Sequence, residues 1–244
     1  MCGIAGFCLS REDNHLNARK VSMALLQEIV KRGSHATGAS WVKGNKETKK
    51  AEIVVSKAPV SAYQFEPYLA KMPAKTNRAI LHTRFATQGS PQDNLNNHPI
   101  VCGRIVGAHN GVLDNDDAIF DYLGVDRQGE VDSEAAFALL NRTIHTPAEV
   151  LQSLNGRASL CWFDSKDKRN LHLARVEGSP LAIGQTEGGS LFFASTMQLL
   201  VAGCDKAGVD LKWVEDIEPM TYMKIRNGEI LELETIGKSL KRIA

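Results

Sequence analysis

The segment from Arg157 to Ala194 reads RASLCWFDSKDKRNLHLARVEGSPLAIGQTEGGSLFFA, and it decides the fold class. Four short apolar runs, separated by polar or glycine-containing turns, predict strands over Ala158 to Phe163, Leu171 to Arg175, Leu181 to Ile183 and Leu191 to Ala194. No helical pattern separates these strands. Because parallel strands need long crossover connections, this block favours antiparallel pairing.

The C-terminal part of the chain also contains short strand-like runs separated by turns. A short helix is predicted over Met197 to Ala202. Thr221 to Arg226 and Glu229 to Leu233 are strand-like and flank Asn227-Gly228, a pair that supplies the two positive-φ residues of a type I′ turn. This stretch therefore predicts a β-hairpin.

The N-terminal half adds strands and helices in blocks. Val21, Leu25 and Ile29 have helical spacing that ends at Gly33, a C-cap residue. The other predicted elements are strands over Cys2 to Leu9, Gly38 to Lys43, Glu52 to Ser56, Ala79 to Phe85 and Arg104 to His109, and helices over Ser61 to Lys71 and Asp132 to Arg142. The pattern predicts an α+β fold of two mainly antiparallel sheets with helices outside, rather than a doubly wound parallel fold.

Composition limits the class of protein. With 244 residues, 43% of them hydrophobic and 23% charged, we expect one folded domain over residues 1–244. A net charge of +1 gives no field that attracts nucleic acid or a membrane surface, and we read the basic cluster from Lys43 to Lys50 as a solvated hairpin tip around Gly44 and Asn45. The start of the chain lacks the features of a secretory signal. Five cysteines without a C-x-x-C pair fit a reducing cytoplasm and predict neither disulfides nor a metal site.

Cys2 is the first residue with a chemical signature. Removal of Met1 by an aminopeptidase, which needs a small second residue, leaves a cysteine with a free α-amino group. The ordinary pKa of that amine is about 7.7–8.0 and that of a thiol about 8.5, so the amine can accept the thiol proton near neutral pH. Nucleophile and base then lie on one residue. The alternative is a cysteine that lies near the terminus by accident.

Further residues suit an amino-acid substrate that carries a side-chain amide. Arg84 can bind a carboxylate in a two-pronged contact, and Asp132 can hold an ammonium group. Asn110 and Gly111 offer a side-chain amide and a backbone N–H, the two donors of an oxyanion hole. Taken singly, each also has an ordinary interpretation: a surface arginine, a helix-capping aspartate and a turn-forming Asn-Gly pair.

Taken together, these residues resemble the class II glutamine amidotransferases, and most of all the glutaminase domain of glucosamine-6-phosphate synthase. The resemblance covers essentially the whole chain and rests on seven motifs in order: Cys2-Gly3-Ile4-Ala5-Gly6, Arg32-Gly33 with Gly38, His82-Thr83-Arg84-Phe85-Ala86-Thr87, Asn97-His98-Pro99, His109-Asn110-Gly111, Asp132-Ser133-Glu134 and Gly178-Ser179-Pro180-Leu181.

The resemblance implies the four-layer αββα sandwich of N-terminal-nucleophile hydrolases and a set of residue roles. Cys2 is then the nucleophile and Asn110 with Gly111 the oxyanion hole. Arg84 and Thr87 bind the glutamine carboxylate, Asp132 binds the ammonium, and Arg32 orients the terminal residue. Phe85 and Gln88 belong to a loop that closes over the substrate. No cofactor or metal is implied, and His82, His98 and His109 are interpreted as structural.

This chain departs from the family pattern in two regions. His35 stands where the family commonly has an aspartate after Arg-Gly, and Phe85 and Gln88 stand where the nearest relatives have Trp and His. The chain ends at Ala244 without a synthetase region, so we expect the ammonia from L-glutamine to pass to a separate acceptor synthetase. Two alternatives stay open at this point. One is a glutamine-binding regulatory subunit without turnover, suggested by His35, and the other is simple hydrolysis of glutamine.

Overall fold

The computed structural model describes residues 1–44 and 51–237. Most of the predicted turn at Gly44 and Asn45, and most of the basic cluster, lies outside the described residues. The strands are, in chain order, β1 (Gly3–Cys8), β2 (Ala36–Gly44), β3 (Ala51–Ala58), β4 (Arg78–Arg84), β5 (Ile100–Cys102), β6 (Ile105–Leu113), β7 (Gly156–Asp164), β8 (Leu171–Arg175), β9 (Ala182–Thr186), β10 (Leu191–Ala194), β11 (Leu211–Asp216), β12 (Thr221–Arg226) and β13 (Glu229–Thr235). The α-helices are α1 (Ala18–Ile29), α2 (Asp116–Leu123), α3 (Ser133–Arg142), α4 (Pro147–Leu151) and α5 (Met197–Ala207).

The strands form two sheets, as the block pattern predicts. One has seven strands in the order β11-β9-β10-β1-β4-β2-β3, and the other has six in the order β13-β12-β8-β7-β6-β5. Neighbouring strands pair antiparallel throughout the described residues. The first strand, β1, lies in the middle of its sheet between β10 and β4, which places Cys2 at the end of a central strand.

Apolar side chains fill the space between the sheets and cover their outer faces. Ile4 and Ile80 of the first sheet share one buried cluster with Ala108 and Leu173 of the second. On the outer side of the first sheet, α1 and α5 pack in a second cluster, and α3 covers the second sheet through a third. This order of helix, sheet, sheet and helix is the four-layer sandwich expected from the sequence.

The local signals in the sequence explain several element ends. The Asn17 side chain accepts hydrogen bonds from the first turn of α1, and the Thr196 hydroxyl accepts one from Leu199 N in α5. The hairpin turn is confirmed, with Asn227 at φ 50° and Gly228 at φ 81°.

Other predictions of elements are wrong. The helix expected over residues 61–71 is absent; two short 3-10 turns, Ala62–Gln64 and Glu66–Leu69, stand there instead. Pro67 has no N–H to donate, so a continuous α-helix through this segment would lack a hydrogen bond. The elements β5, β11, α2 and α4 were not predicted, because each is short or has weak periodicity. No helix within the described ranges has both the length and the apolar character needed to cross a membrane.

Candidate active site

Cys2 lies at the start of β1, beside the end of β4. Its backbone oxygen accepts a hydrogen bond from Arg32 Nε at 2.7 Å, and its thiol lies 3.7 Å from the backbone oxygen of Phe85, to which it donates. Met1 precedes Cys2, and its sulfur lies 3.6 Å from Arg32 Nη2. Arg32, which follows α1 in a 3-10 turn, thus holds the backbone of the residue expected to be the nucleophile.

The charges around Cys2 come from residues far apart in the sequence. Burial raises the pKa of the Cys2 thiol, while the positive charges of the chain's amino terminus and of Arg84 oppose this rise. Asp132 acts in the opposite sense to Arg84 and adds to the rise. Charges of both signs, from Arg84 and the amino terminus on one hand and from Asp132 on the other, therefore influence the ionisation of the thiol.

Arg84 ends β4 and is 3% exposed. Its Nη1 donates to Ser90 O at 3.3 Å and to Asn97 Oδ1 at 2.9 Å. Its Nη2 donates to the carbonyl oxygens of Gln88 and Gly89, the latter at 2.9 Å. The guanidinium thus binds the loop that follows it.

Residues 85–90 form the loop that the sequence analysis expects to close over the substrate. Phe85 is 45% exposed, and the side chains of Thr87 and Gln88 also face outward. Arg84 holds the far end of this loop through its carbonyl groups, which leaves those side chains free to meet a ligand. The predicted roles of Thr87, Gln88 and Phe85 in binding remain predictions.

Asn110 and Gly111 lie within β6, which continues to Leu113. The interpretation of this pair as a strand-ending turn is wrong, because β7 pairs with β6 beyond it. Asn110 is 2% exposed, and its Nδ2 has no hydrogen-bond partner among the described residues. A buried amide donor without a partner is rare in native proteins, and one at an active site suits an anion that forms only during reaction.

The backbone at Gly111 requires glycine. Its φ is 154°, and an added Cβ would lie 1.8 Å from the carbonyl oxygen of Arg157. Ala158, which pairs opposite Gly111, directs its own N–H and C=O to Glu177 and Val176. In an antiparallel pair of this kind the facing residues do not bond each other, so the Gly111 N–H points away from β7.

Asp132 precedes α3 but does not cap it with its side chain. Its Oδ2 accepts from Leu113 N at 2.7 Å, and its Oδ1 lies 3.3 Å from Ser133 Oγ, which donates to it. The Ser133 hydroxyl also contacts His109 Nδ1 at 2.8 Å. Asp132 is therefore fixed against the end of β6, two residues beyond Gly111, and the interpretation as a plain helix cap does not hold.

The three histidines of the motifs are buried between the sheets. The rings of His82 and His98 lie 4.2 Å apart between centroids, and burial lowers the pKa of His82 to about 3 and that of His98 well below its usual range. Burial also lowers the pKa of Lys57 to about 8, and its Nζ donates to Asn97 O and Pro99 O. Because burial lowers their pKa values, His82, His98 and His109 are neutral near pH 7, in keeping with a structural role.

Two residues of this site had no role in the sequence analysis. Asn97 accepts from Arg84 and donates through Nδ2 to Pro91 O at 2.7 Å and to Asn94 Oδ1 at 2.9 Å. Ser133 links Asp132 to His109. Asn97 and Ser133 both belong to sequence motifs of the family, and this was the only indication of a role. A motif does not show which partner a side chain contacts.

The other cysteines are free. Cys8, Cys161 and Cys204 are buried, as expected for small apolar residues, whereas Cys102 is half-buried.

The chain is similar to known proteins in sequence and in fold. A family described as "Glutamine amidotransferase domain" matches residues 82–202. The chain is 28% identical over 211 residues to a glutamine--fructose-6-phosphate aminotransferase (isomerizing) of Lactococcus lactis, covering 82% of this chain and 33% of that protein. A protein of the same name from Mycolicibacterium paratuberculosis is 28% identical over 218 residues, with the same coverage.

Solved structures share the fold. A glutamine phosphoribosylpyrophosphate amidotransferase from B. subtilis, complexed with ADP and GMP, superposes with a TM-score of 0.77 at 19% identity, covering 98% of this chain and 50% of that one. A structure described as the allosteric regulatory enzyme of purine biosynthesis gives 0.76 at 20% identity, with the same coverage. The chain spans about a third of the length of the curated relatives and half of the solved chains. Its motifs, fold and relatives agree: the chain is similar to the class II glutamine amidotransferases, and residues 82–202 match a glutamine amidotransferase domain.

Proposed function

We propose that this chain releases ammonia from L-glutamine through a thioester on Cys2 after Met1 has been removed. The observation that carries the proposal is that the Cys2 thiol donates to Phe85 O, next in the chain to Arg84, while Arg84 and Asp132 both act on the pKa of this thiol. The Asn110 amide of β6 has no hydrogen-bond partner within the described ranges, and the Asp132 carboxylate is bonded to Leu113 of the same strand. A cation, an anion and an amide donor around a thiol match the carboxylate, ammonium and developing oxyanion of glutamine.

The chemistry proceeds in two stages. The freed amine of Cys2 takes the thiol proton, and Sγ attacks the side-chain amide carbon of glutamine. Asn110 Nδ2 and the Gly111 N–H stabilise the oxyanion. The ammonium of Cys2 then returns its proton to the leaving nitrogen, which departs as ammonia and leaves a thioester. Water hydrolyses the thioester to glutamate and restores the thiol.

Arg84 and Asp132 supply selectivity for an amino acid. Arg84 offers its guanidinium to the carboxylate as the loop of residues 85–90 rearranges, and Asp132 holds the ammonium. Thr87 lies on that loop and completes the carboxylate site, and Gln88 belongs to the part of the loop that closes over the substrate. Since Phe85 is exposed beside the thiol, its ring can cover the bound substrate and exclude water.

The test compares two thiols in the processed protein. Mass spectrometry first establishes that Met1 is absent, and then locates the label left by an electrophilic glutamine analogue. We expect glutamate formation and label on Cys2, with both abolished by Cys2→Ala and neither changed by Cys102→Ala, which removes the half-buried thiol. Activity in protein that retains Met1, or in the Cys2→Ala variant, would overturn the proposal.

The fate of the ammonia is a second part of the proposal. We infer that a separate acceptor synthetase receives it, supported by Val112 and Phe85, apolar side chains that stay 41% and 45% exposed on residues that adjoin the site. Faster glutamate formation when a co-purifying synthetase is added supports transfer. Equal rates with every added synthetase favour simple hydrolysis.

The alternative of a glutamine-binding subunit without turnover rested on His35 in place of an acid. The His35 side chain makes a polar contact, because its Nδ1 accepts from Ala86 N at 3.0 Å. The replacement therefore does not leave the site without support.

A further inference from the structure

The segment from Gly33 to Ala36 runs against the end of β4 and the start of the loop that follows it. The His35 backbone N–H donates to Arg84 O at 2.9 Å. Its ring accepts at Nδ1 from Ala86 N at 3.0 Å and stacks on the Phe85 ring, with 5.0 Å between centroids and 27° between planes. One residue thus contacts three successive residues at the loop entrance.

Close packing reinforces this arrangement. A Cβ added to Gly33 would lie 2.4 Å from Phe85 N and 2.5 Å from the Arg84 carbonyl carbon. A side chain at position 33 would therefore push the two segments apart, and only glycine allows His35 to approach the loop entrance this closely.

The peptide group between Phe85 and Ala86 connects His35 to the nucleophile. Its carbonyl oxygen accepts from the Cys2 thiol at 3.7 Å, while its N–H donates to His35 Nδ1. A peptide group is planar, so a rotation that breaks one of these contacts also displaces the other. The imidazole therefore sets the orientation of the carbonyl that faces the thiol.

We propose that His35 is a positioning residue for the amide transfer: it holds the Phe85–Ala86 peptide, and through it the Cys2 thiol and the loop entrance, in the reactive arrangement. The inference deepens the proposed function and rests on it. His35 takes no part in proton transfer, which the terminal amine performs. Its function is to accept one hydrogen bond and to stack on one ring.

The two contacts can be separated by substitution. His35→Asn keeps an acceptor, since Asn Oδ1 stands near the position of Nδ1, but it loses the stacking. His35→Phe keeps a ring against Phe85 but loses the acceptor. His15→Phe, at another exposed histidine on the loop after β1, is the matched control.

We expect His35→Phe to lower kcat about tenfold, since small displacements of reacting groups cost at least this much, and to change the rate of Cys2 alkylation by iodoacetamide. His35→Asn should restore both quantities to within about threefold of wild type. His15→Phe should leave both unchanged. A merely structural role would lower the melting temperature and leave kcat and the alkylation rate as they were.

The proposal is overturned if His35→Phe keeps the wild-type kcat and alkylation rate, or if His35→Asn fails as badly as His35→Phe. The alkylation readout needs no glutamine. If wild type forms no glutamate while Cys2 alkylation still responds to the acceptor at position 35, the proposed function fails and the positioning by His35 stands.

Discussion

Arg84 Nη1 donates to Asn97 Oδ1 at 2.9 Å, and this contact joins the end of β4 to the segment that closes the loop of residues 85–90. Both side chains are buried, at 3% and 1% exposed. Asn97 holds the guanidinium on one side while the carbonyl groups of the loop hold it on the other. The position of the loop therefore depends on the same arginine that we propose binds the substrate carboxylate.

Arg84→Lys removes the planar fork while keeping the charge. A lysine cannot donate to Asn97, the loop carbonyls and a carboxylate at once. We expect the KM for glutamine to rise about tenfold to a hundredfold, the cost of one lost charged hydrogen bond. Steady-state glutaminase assays measure this change. Arg78→Lys, at the other end of β4, is the control and should leave KM unchanged; an unchanged KM in Arg84→Lys removes Arg84 from the substrate site.

The substitution Asn97→Ala should make the loop of residues 85–90 more mobile. The change removes one of the four acceptors of Arg84 and the Asn97 donor to the Pro91 carbonyl, so we expect the free energy of unfolding to fall by about 1–3 kcal/mol. Amide hydrogen exchange across residues 85–91 should accelerate. Asn94→Ala, which removes only the exposed acceptor of Asn97 Nδ2, should have a smaller effect on both. Equal exchange in wild type and Asn97→Ala would contradict this role.

Asn110→Leu should separate activity from stability. Since Asn110 Nδ2 has no partner in the described structure, an apolar side chain of similar shape should change the free energy of unfolding by less than about 1 kcal/mol. Loss of an oxyanion donor should lower kcat about a hundredfold to a thousandfold. Asn170→Leu is a control with the opposite expected result, because the Asn170 side chain forms hydrogen bonds with Asp167 and Arg226. It should destabilise the fold and leave kcat unchanged; a normal kcat in Asn110→Leu refutes the assignment.

Gly111→Ala should damage both fold and activity. The added Cβ meets the Arg157 carbonyl oxygen at 1.8 Å, so β6 and β7 must separate locally. We expect a loss of about 1–3 kcal/mol of stability, together with a lower kcat because the Gly111 N–H moves. Thermal unfolding and kinetics measure the two effects. Gly44→Ala, where an added Cβ meets nothing within 4 Å, should be neutral; a wild-type melting temperature in Gly111→Ala would be inconsistent with the close contact.

Stability should fall in mild acid because buried histidines cannot take up protons. Burial lowers the pKa of His172 to about 3, whereas an unfolded histidine titrates near 6.5. Its contribution to stability is therefore present above about pH 6.5 and is lost as the pH falls from there toward 3. Between pH 7 and pH 5, one such histidine lowers the free energy of unfolding by about 2 kcal/mol.

Denaturant unfolding of His172→Phe at both pH values tests this relationship. The variant should lose about 2 kcal/mol less than wild type over the interval. His145→Phe, at a histidine whose side chain is 52% exposed, is the control for loss of a histidine at the surface. The same slope in His172→Phe as in wild type would contradict a buried neutral His172.

Much of the fold was determined by the sequence alone. The bounds of β8 and β10 are those predicted, and the Asn227-Gly228 turn formed as expected. These features are local: short apolar runs, turn chemistry and positive φ depend on residues next to one another in the chain. The order of the motifs also led to the family.

Contacts between distant residues were decided only by the tertiary structure. Asn110 and Gly111 look like a turn by composition, but β7 lies beside them and continues the strand. In the sequence, His35 stands where the family commonly has an aspartate. In the structure, its ring accepts a hydrogen bond from the Phe85–Ala86 peptide, because β2 begins beside the end of β4. Such partners depend on which segments the packed sheets bring together, and no local pattern contains that information.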